Sequence, residues 1–172
     1  MTQFQAALLL QQFDKLVQET ARRRESADYL NAQLAKIPGI TPARLPANSR
    51  GVYHLYPFRY DSARFNGMSR DLFLRALNAE GISAHVVYKE QYFDGLLDET
   101  IASRGYQRLF SAQRLKAYRD SFNDLKGNRE VCATTIGMSQ TALLADRPGL
   151  DHIVEAVAKL QTHSAALVKA KG

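Results

Sequence analysis

Apolar residues step by threes and fours through the first part of this chain. Leu9, Phe13 and Leu16, then Ala27, Leu30, Leu34 and Ile37, fall on one stripe of a stretch, residues 3–36, that contains no proline or glycine. That spacing predicts a helix. Apolar density drops between Glu19 and Ser26, and the stretch exceeds the roughly 25 residues of an ordinary globular helix. It is therefore expected either to bridge two bodies or to bend in its polar middle. Pro38-Gly39 ends it.

A two-proline loop, TPARLPANSR, precedes GVYHLYPFRYD, which reads as a strand. Val52, His54, Tyr56 and Phe58 would share one face, and Tyr53, Leu55 and Arg59 the other. Pro57 argues for an edge strand or a bulge. Ser69 is a candidate N-cap, with Asp71 at the positive end of the next helix. Leu72, Phe73, Ala76 and Leu77 would form its buried side and Gly81 its stop, before the strand ISAHVV. Residues 94–127 are polar, with Leu115, Tyr118 and Phe122 at helical spacing. VCATTIGMSQTALLA holds a short helix and a short strand in either order. Arg147-Pro148-Gly149 reads as a turn, after which Asp151 would cap a last helix with Ile153, Val154, Val157 and Leu160 inward; residues 163–172 are expected to fray.

The pattern implies an α/β chain, locally α+β: residues 1–37 a long connecting helix, and residues 38–172 a small domain of mostly antiparallel sheet with helices packed on it. A length of 172 residues, 45% hydrophobic and 23% charged, is enough for a real core. No apolar run reaches a membrane span. The N-terminal apolar patch has no basic leader or cleavage site, so it is not a signal peptide. One cysteine, Cys132, excludes a disulfide framework and fits a cytoplasmic compartment. Within VCATTI it reads as a small buried thiol. The net charge is +6, but the basic residues are dispersed and no recognition motif accompanies them, so nucleic acid is not the expected partner. Arg22-Arg23-Arg24, followed by Glu25, reads as a solvated helix face.

Self-contained catalysis is not visible. His54, His85, His152 and His163 show no metal-ligand spacing, with His152 and His163 expected in solvent. There is no nucleophile elbow, phosphate loop or dinucleotide fingerprint. Polar and aromatic groups do gather at strand ends: Tyr53, His54, Tyr56 and Arg59 on one, Tyr88 and Tyr92 after the next. Such groups can hold a polyhydroxylated or anionic small molecule; equally, they are common half-buried sheet residues.

In combination, MTQFQAALLLQQFDKL, LAKIPGI, GVYHLYPFRYD, FNGMSRDLFLRALNAEGI and QTALLADRPGLDHIVEAVAKL resemble the C-terminal part of the DegT/DnrJ/StrS aminotransferases. The resemblance runs over nearly the whole chain and is strongest to the branch that aminates cyclitols such as scyllo-inosose. It implies the small-domain portion of a fold type I enzyme that uses pyridoxal 5'-phosphate. In the family, glutamate or glutamine gives an amino group to a keto-sugar or keto-cyclitol, and the full-length enzyme is a homodimer. The family's Schiff-base lysine lies in a preceding large domain, and none of lysines 15, 36, 89, 116, 126, 159, 169 and 171 stands in its sequence context. No catalytic or cofactor-binding residue is therefore assigned, and pyridoxal phosphate is not expected on this chain alone. By position, the resemblance makes His54, Tyr56, Tyr88 and Tyr92 the substrate-binding candidates, with His85 open between core and pocket. Val87 and Lys89-Glu90-Gln91 depart from the residues common in relatives and leave the substrate open. A non-catalytic ligand-binding or protein-interaction module on the same fold is the competing expectation.

Overall fold

In a computed structural model that describes residues 1–170, the elements follow in chain order. They are helix α1 (Gln3–Leu34), strands β1 (Ile40–Pro42) and β2 (Leu55–Tyr60), helix α2 (Arg70–Ala79) and strand β3 (Ala84–Val86). Helices α3 (Leu96–Ala102), α4 (Arg104–Leu109), α5 (Ala112–Ser121) and α6 (Lys126–Thr134) come next, then strand β4 (Thr135–Ser139) and helix α7 (Arg147–Lys169). They form two compact units: residues 1–86 with 136–172, and residues 87–135.

The first unit is built on a four-stranded sheet of order β1-β2-β4-β3. The β1–β2 and β3–β4 pairs are antiparallel, with Ile40 opposite Tyr60 and Val86 opposite Ile136. Tyr56, Phe58 and Tyr60 alternate inward along β2. Tyr60 stacks at 4.8 Å from Phe65 and 4.5 Å from Phe73, and its hydroxyl donates to the Met68 carbonyl at 2.8 Å. A buried phenol is thereby both packed and satisfied. Phe73, Leu74 and Leu77 of α2, and Leu150, Ile153, Ala156, Val157 and Leu160 of α7, complete the core. Apart from Ala156, each such side chain contributes on the order of 1.5–3 kcal/mol by leaving water.

β2 is an inner strand, not the edge that Pro57 suggested. The Asp61 amide donates to the Gly39 carbonyl, so by antiparallel alternation residues 61, 59 and 57 direct their backbone groups toward β1. β1 ends at Pro42, opposite Phe58. The missing Pro57 donor thus faces a flank with no strand to bond.

β2 also begins later than its sequence suggests. Tyr53 has φ +51°, a left-handed conformation that breaks extended chain, and Val52 and His54 are exposed rather than strand residues. A Cβ on Gly51 would lie 2.7 Å from the Tyr53 ring, so that close approach requires glycine.

α1 is continuous over 32 residues, opened by a Thr2–Gln5 capping box. Ala6, Leu9, Phe13, Leu16, Thr20, Arg23, Ala27, Leu30 and Leu34 alternate by three and four along it. The C-terminal half of this seam is buried, whereas Leu9, Phe13 and Leu16 are 46%, 64% and 48% exposed. The arginine triplet is not simply solvated. Arg23 donates to Gln140 at 2.7 Å and to Glu19 at 2.8 Å, and Arg24 donates to the Gly51 carbonyl at 2.9 Å.

α7 starts earlier and ends later than expected. Asp146 caps it by accepting from the Gly149 amide, with Pro148 in its first turn. Residues 163–169 are helical, while Lys171 and Gly172 lie outside the described residues.

In the second unit, Ser103 and Ser111 cap α4 and α5. Leu115 and Phe122 are buried, and Tyr92, Phe93, Phe122 and Tyr118 form a chain of ring contacts. Arg119 pairs with Asp98 through Nε and Nη2, one edge of its guanidinium, and lies over the Phe93 and Phe122 rings. VCATTIGMSQTALLA resolves as helix, strand, then a 3-10 turn at Gln140–Leu144. Cys132 sits half-exposed on α6, which has no buried residue, rather than in the core.

Candidate functional site

The four expected substrate-binding residues are divided between the units and differ in accessibility. In the first unit His54 is exposed, just before β2. Tyr56 is only 1% exposed, and its hydroxyl donates to Asn31 Oδ1 at 2.8 Å. Burial holds the Tyr56 phenol well above its ordinary range, so it is a fixed neutral donor at any physiological pH. His85 lies on the exposed face of β3 opposite Gly137, which removes it from the core. His152 is exposed with its Nε2 3.0 Å from the Glu80 carbonyl, and His163 is exposed.

In the second unit Tyr88 is 55% exposed and Tyr92 6%. The Tyr92 hydroxyl is buried with no hydrogen-bond partner, which costs about 1–3 kcal/mol.

Beside Tyr56 the first unit carries a groove of mixed polar and apolar lining that the sequence did not reveal. It has a volume of about 570 Å³ and includes Asp28, Asn31, Thr41, Arg44 and Tyr53 in its walls. α1 supplies Asp28 and Asn31, three residues apart and so on one face. β1 and the loop after it supply Thr41 and Arg44. The left-handed turn at Tyr53 brings the phenol over the groove, where burial and then the Asp28 charge push its pKa up, against the opposing pull of Arg24. A carboxylate, an amide, a guanidinium and a phenol around one groove can hold hydroxyl groups from several sides. Asp28 and Asn31 are separated from Arg44 and Tyr53 by a helix end and a loop, so no local motif could announce them.

The match to known proteins is of one kind. The profile of the DegT/DnrJ/EryC1/StrS aminotransferase family covers residues 1–105. The chain belongs to this family.

Among curated relatives, it is 28% identical to an L-glutamine:2-deoxy-scyllo-inosose aminotransferase of Streptoalloteichus tenebrarius over 97% of this chain and 39% of that protein. It is 26% identical to an L-glutamine:scyllo-inosose aminotransferase of Streptomyces griseus over 93% of this chain and 37% of the relative. Of solved structures, Helicobacter pylori PseC, an aminotransferase involved in pseudoaminic acid biosynthesis, superposes with TM-score 0.64 at 23% identity, over 92% of this chain and 37% of that one. A 3-amino-5-hydroxybenzoic acid synthase gives 0.61 at 19% identity, over 88% and 36%. The fold is thus that of a portion of the fold type I aminotransferases. The chain spans about 40% of the length of the curated relatives it matches.

The family is dependent on pyridoxal phosphate. An imine-forming lysine works from a desolvated pocket, yet all seven described lysines are exposed. Lys159 is held by both Glu80 oxygens at 2.8 Å, and Lys116 by Asp120 at 2.5 Å. Among the described residues no group of three or more His, Cys, Asp or Glu could hold a metal ion, and no helix is long and apolar enough to cross a membrane.

Proposed function

We propose that this chain serves as the C-terminal portion of an aminotransferase that transfers an amino group from glutamine or glutamate to a keto-cyclitol or keto-sugar, and that it neither holds pyridoxal phosphate nor turns over by itself. The observation that carries the reading is the family match, together with relatives described as glutamine:scyllo-inosose aminotransferases that align along nearly all of this chain. The exposure of every described lysine supports the second half.

Transamination needs an amine that first binds the cofactor and then carries a proton between two carbons; the remainder of a family enzyme would supply it. In this reading His54 of the first unit and Tyr88 of the second, both exposed, are the side chains each unit offers to substrate. Tyr56, tied to Asn31, is a positioning residue for the segment that presents His54. Tyr92 anchors the segment that follows Tyr88 through its contacts with Phe93 and Phe122.

The test is to add pyridoxal phosphate, glutamine and scyllo-inosose to the purified 172-residue chain. The expected outcome is no visible imine absorption that survives gel filtration and no aminocyclitol. A stable imine band with product formation overturns the reading.

A second reading, a non-catalytic interaction module, draws on a different observation: the bare half of the α1 seam. It predicts a function for the chain that survives when no aminotransferase activity can be restored by any lysine-bearing partner.

A further inference from the structure

The second unit contains a groove that the proposed function does not use. It has a volume of about 390 Å³ and is lined by Tyr106, Phe110, Arg114, Leu115, Ala117 and Tyr118, so α4, α5 and the residues joining them build it entirely. Tyr106 and Phe110 pack with ring centres 5.7 Å apart, and the Arg114 guanidinium sits 5.4 Å from the Phe110 centre. Tyr118 closes another wall and is braced from behind by Phe122 at 5.0 Å. Three aromatic rings, each more than a third exposed, thus line one groove with one cation.

That cation is electrostatically unbalanced. Among the described residues Arg114 has no carboxylate partner. Asp120, the acid nearest in sequence, pairs with Lys116, and Asp98 pairs with Arg119. Arg114 also stands in the first turn of α5, which contains no acidic residue. A positive side chain at the positive end of a helix is unfavourable unless an anion offsets it. From Thr100 to Arg119 the chain carries Arg104, Arg108, Arg114, Lys116 and Arg119 and no Asp or Glu. The one carboxylate in these two helices, Asp120, is already paired with Lys116.

We propose that this groove binds a planar aromatic carboxylate, its ring stacked among Tyr106, Phe110 and Tyr118 and its carboxylate paired with the Arg114 guanidinium. The flat walls select a flat ligand, because ring stacking rewards planar faces. The guanidinium fork matches the two carboxylate oxygens. The volume admits one or two fused rings and excludes a long chain. A neutral aromatic would bury the rings and leave Arg114 unbalanced, and an aliphatic acid would neutralise Arg114 without filling the flat walls.

The experiment titrates the full 172-residue chain with 2-naphthoate, following its fluorescence and the chain's aromatic and arginine side-chain NMR signals. The comparison probes are 2-naphthamide and cyclohexanecarboxylate. Saturable one-to-one binding of 2-naphthoate is expected, with shifts at Arg114, Phe110 and Tyr118 and both comparison probes weaker. Arg114→Gln is expected to weaken 2-naphthoate by about tenfold or more, the scale of a charge-assisted pair, while leaving 2-naphthamide unchanged. Tyr118→Ala, a second variant read the same way, should weaken both naphthyl probes. Equal binding of 2-naphthoate and 2-naphthamide, no loss in Arg114→Gln, or shifts confined to α1 would overturn the proposal, as would the absence of binding at millimolar probe. Failure here leaves the aminotransferase reading intact, since that reading rests on other residues, His54 and Tyr88.

Discussion

Tyr29 on α1 donates its phenol proton to the carboxylate of Asp151 on α7. Arg147, one turn earlier on α7, lays its guanidinium 3.7 Å from the centre of the Tyr29 ring. Asp151 is thus not a helix cap but the acceptor that ties the two longest helices together, and Arg147 covers the same ring from the other helix's start. The hydrogen bond to Asp151, more than burial, pushes the Tyr29 phenol above its ordinary range. Tyr29→Phe and Asp151→Ala are each expected to lower the urea midpoint with an unchanged slope, and the double variant to lose less than the sum of the two. A strictly additive double-mutant cycle would show that the pair carries no coupling.

Alkaline stability follows from two buried phenols. Burial raises the pKa values of Tyr56 and Tyr60 in the folded chain above the ordinary value of 10.0. Above that pH the unfolded chain releases these protons while the folded chain retains them. Their contribution is therefore complete below pH 10 and declines as pH rises further. Urea midpoints measured from pH 8 to 11 should fall along the alkaline limb, and Tyr60→Phe should make that limb shallower by one proton's slope. A limb of identical steepness in the variant contradicts the assignment.

Two glycines with similar backbone angles should differ in their tolerance of alanine. Gly39 has φ +92°, and a Cβ there would meet Arg64 Cβ at 2.6 Å and the Phe65 ring at 2.9 Å; Gly81 has φ +87° and open space around it. Gly81→Ala carries only the left-handed strain of about 1–2 kcal/mol. Gly39→Ala adds a backbone-anchored clash against a fully buried ring, and its loss of stability should be clearly the larger in thermal melts.

The uncovered half of the α1 seam predicts self-association. Leu9, Phe13 and Leu16 share a face with buried Ala27, Leu30 and Leu34 but remain exposed, and patches of this kind draw partners or aggregate. Phe13→Glu should reduce concentration-dependent light scattering while leaving the melting temperature of the chain nearly unchanged. Scattering that is flat with concentration in the parent chain would refute it.

The helices announced themselves where apolar period and end signals agreed. Ser69 caps α2 by accepting from Leu72, and Gly81 follows its last turn, as the sequence suggested. Five of the inward positions expected on α2 and α7, Phe73, Leu77, Ile153, Val157 and Leu160, are core residues. The failures have local causes. Pro148 looked like a turn but occupies the first turn of α7, where a missing amide costs nothing. Val52 to His54 alternate like strand residues, yet Tyr53 takes a left-handed conformation that hydropathy does not encode. Leu74 was missed because α2 buries a wider face than a strict stripe. Of the candidate site, the residue types were legible and their exposure was not: Tyr56 and Tyr92 are buried, His54 and Tyr88 open. Asp28, Asn31 and Arg44 converge only through the tertiary packing of α1 against β1.

The pairing of Val86 with Ile136 has a further meaning. The chain departs the first unit and comes back through two residues that already face each other, so everything between them is topologically a single hairpin loop. Closing so long a loop rather than a tight turn disfavours the hairpin by only about 2 kcal/mol, because closure entropy grows with the logarithm of length. Residues 87–135 can consequently be lengthened, shortened or exchanged over evolutionary time without disturbing the register of the strands that carry them.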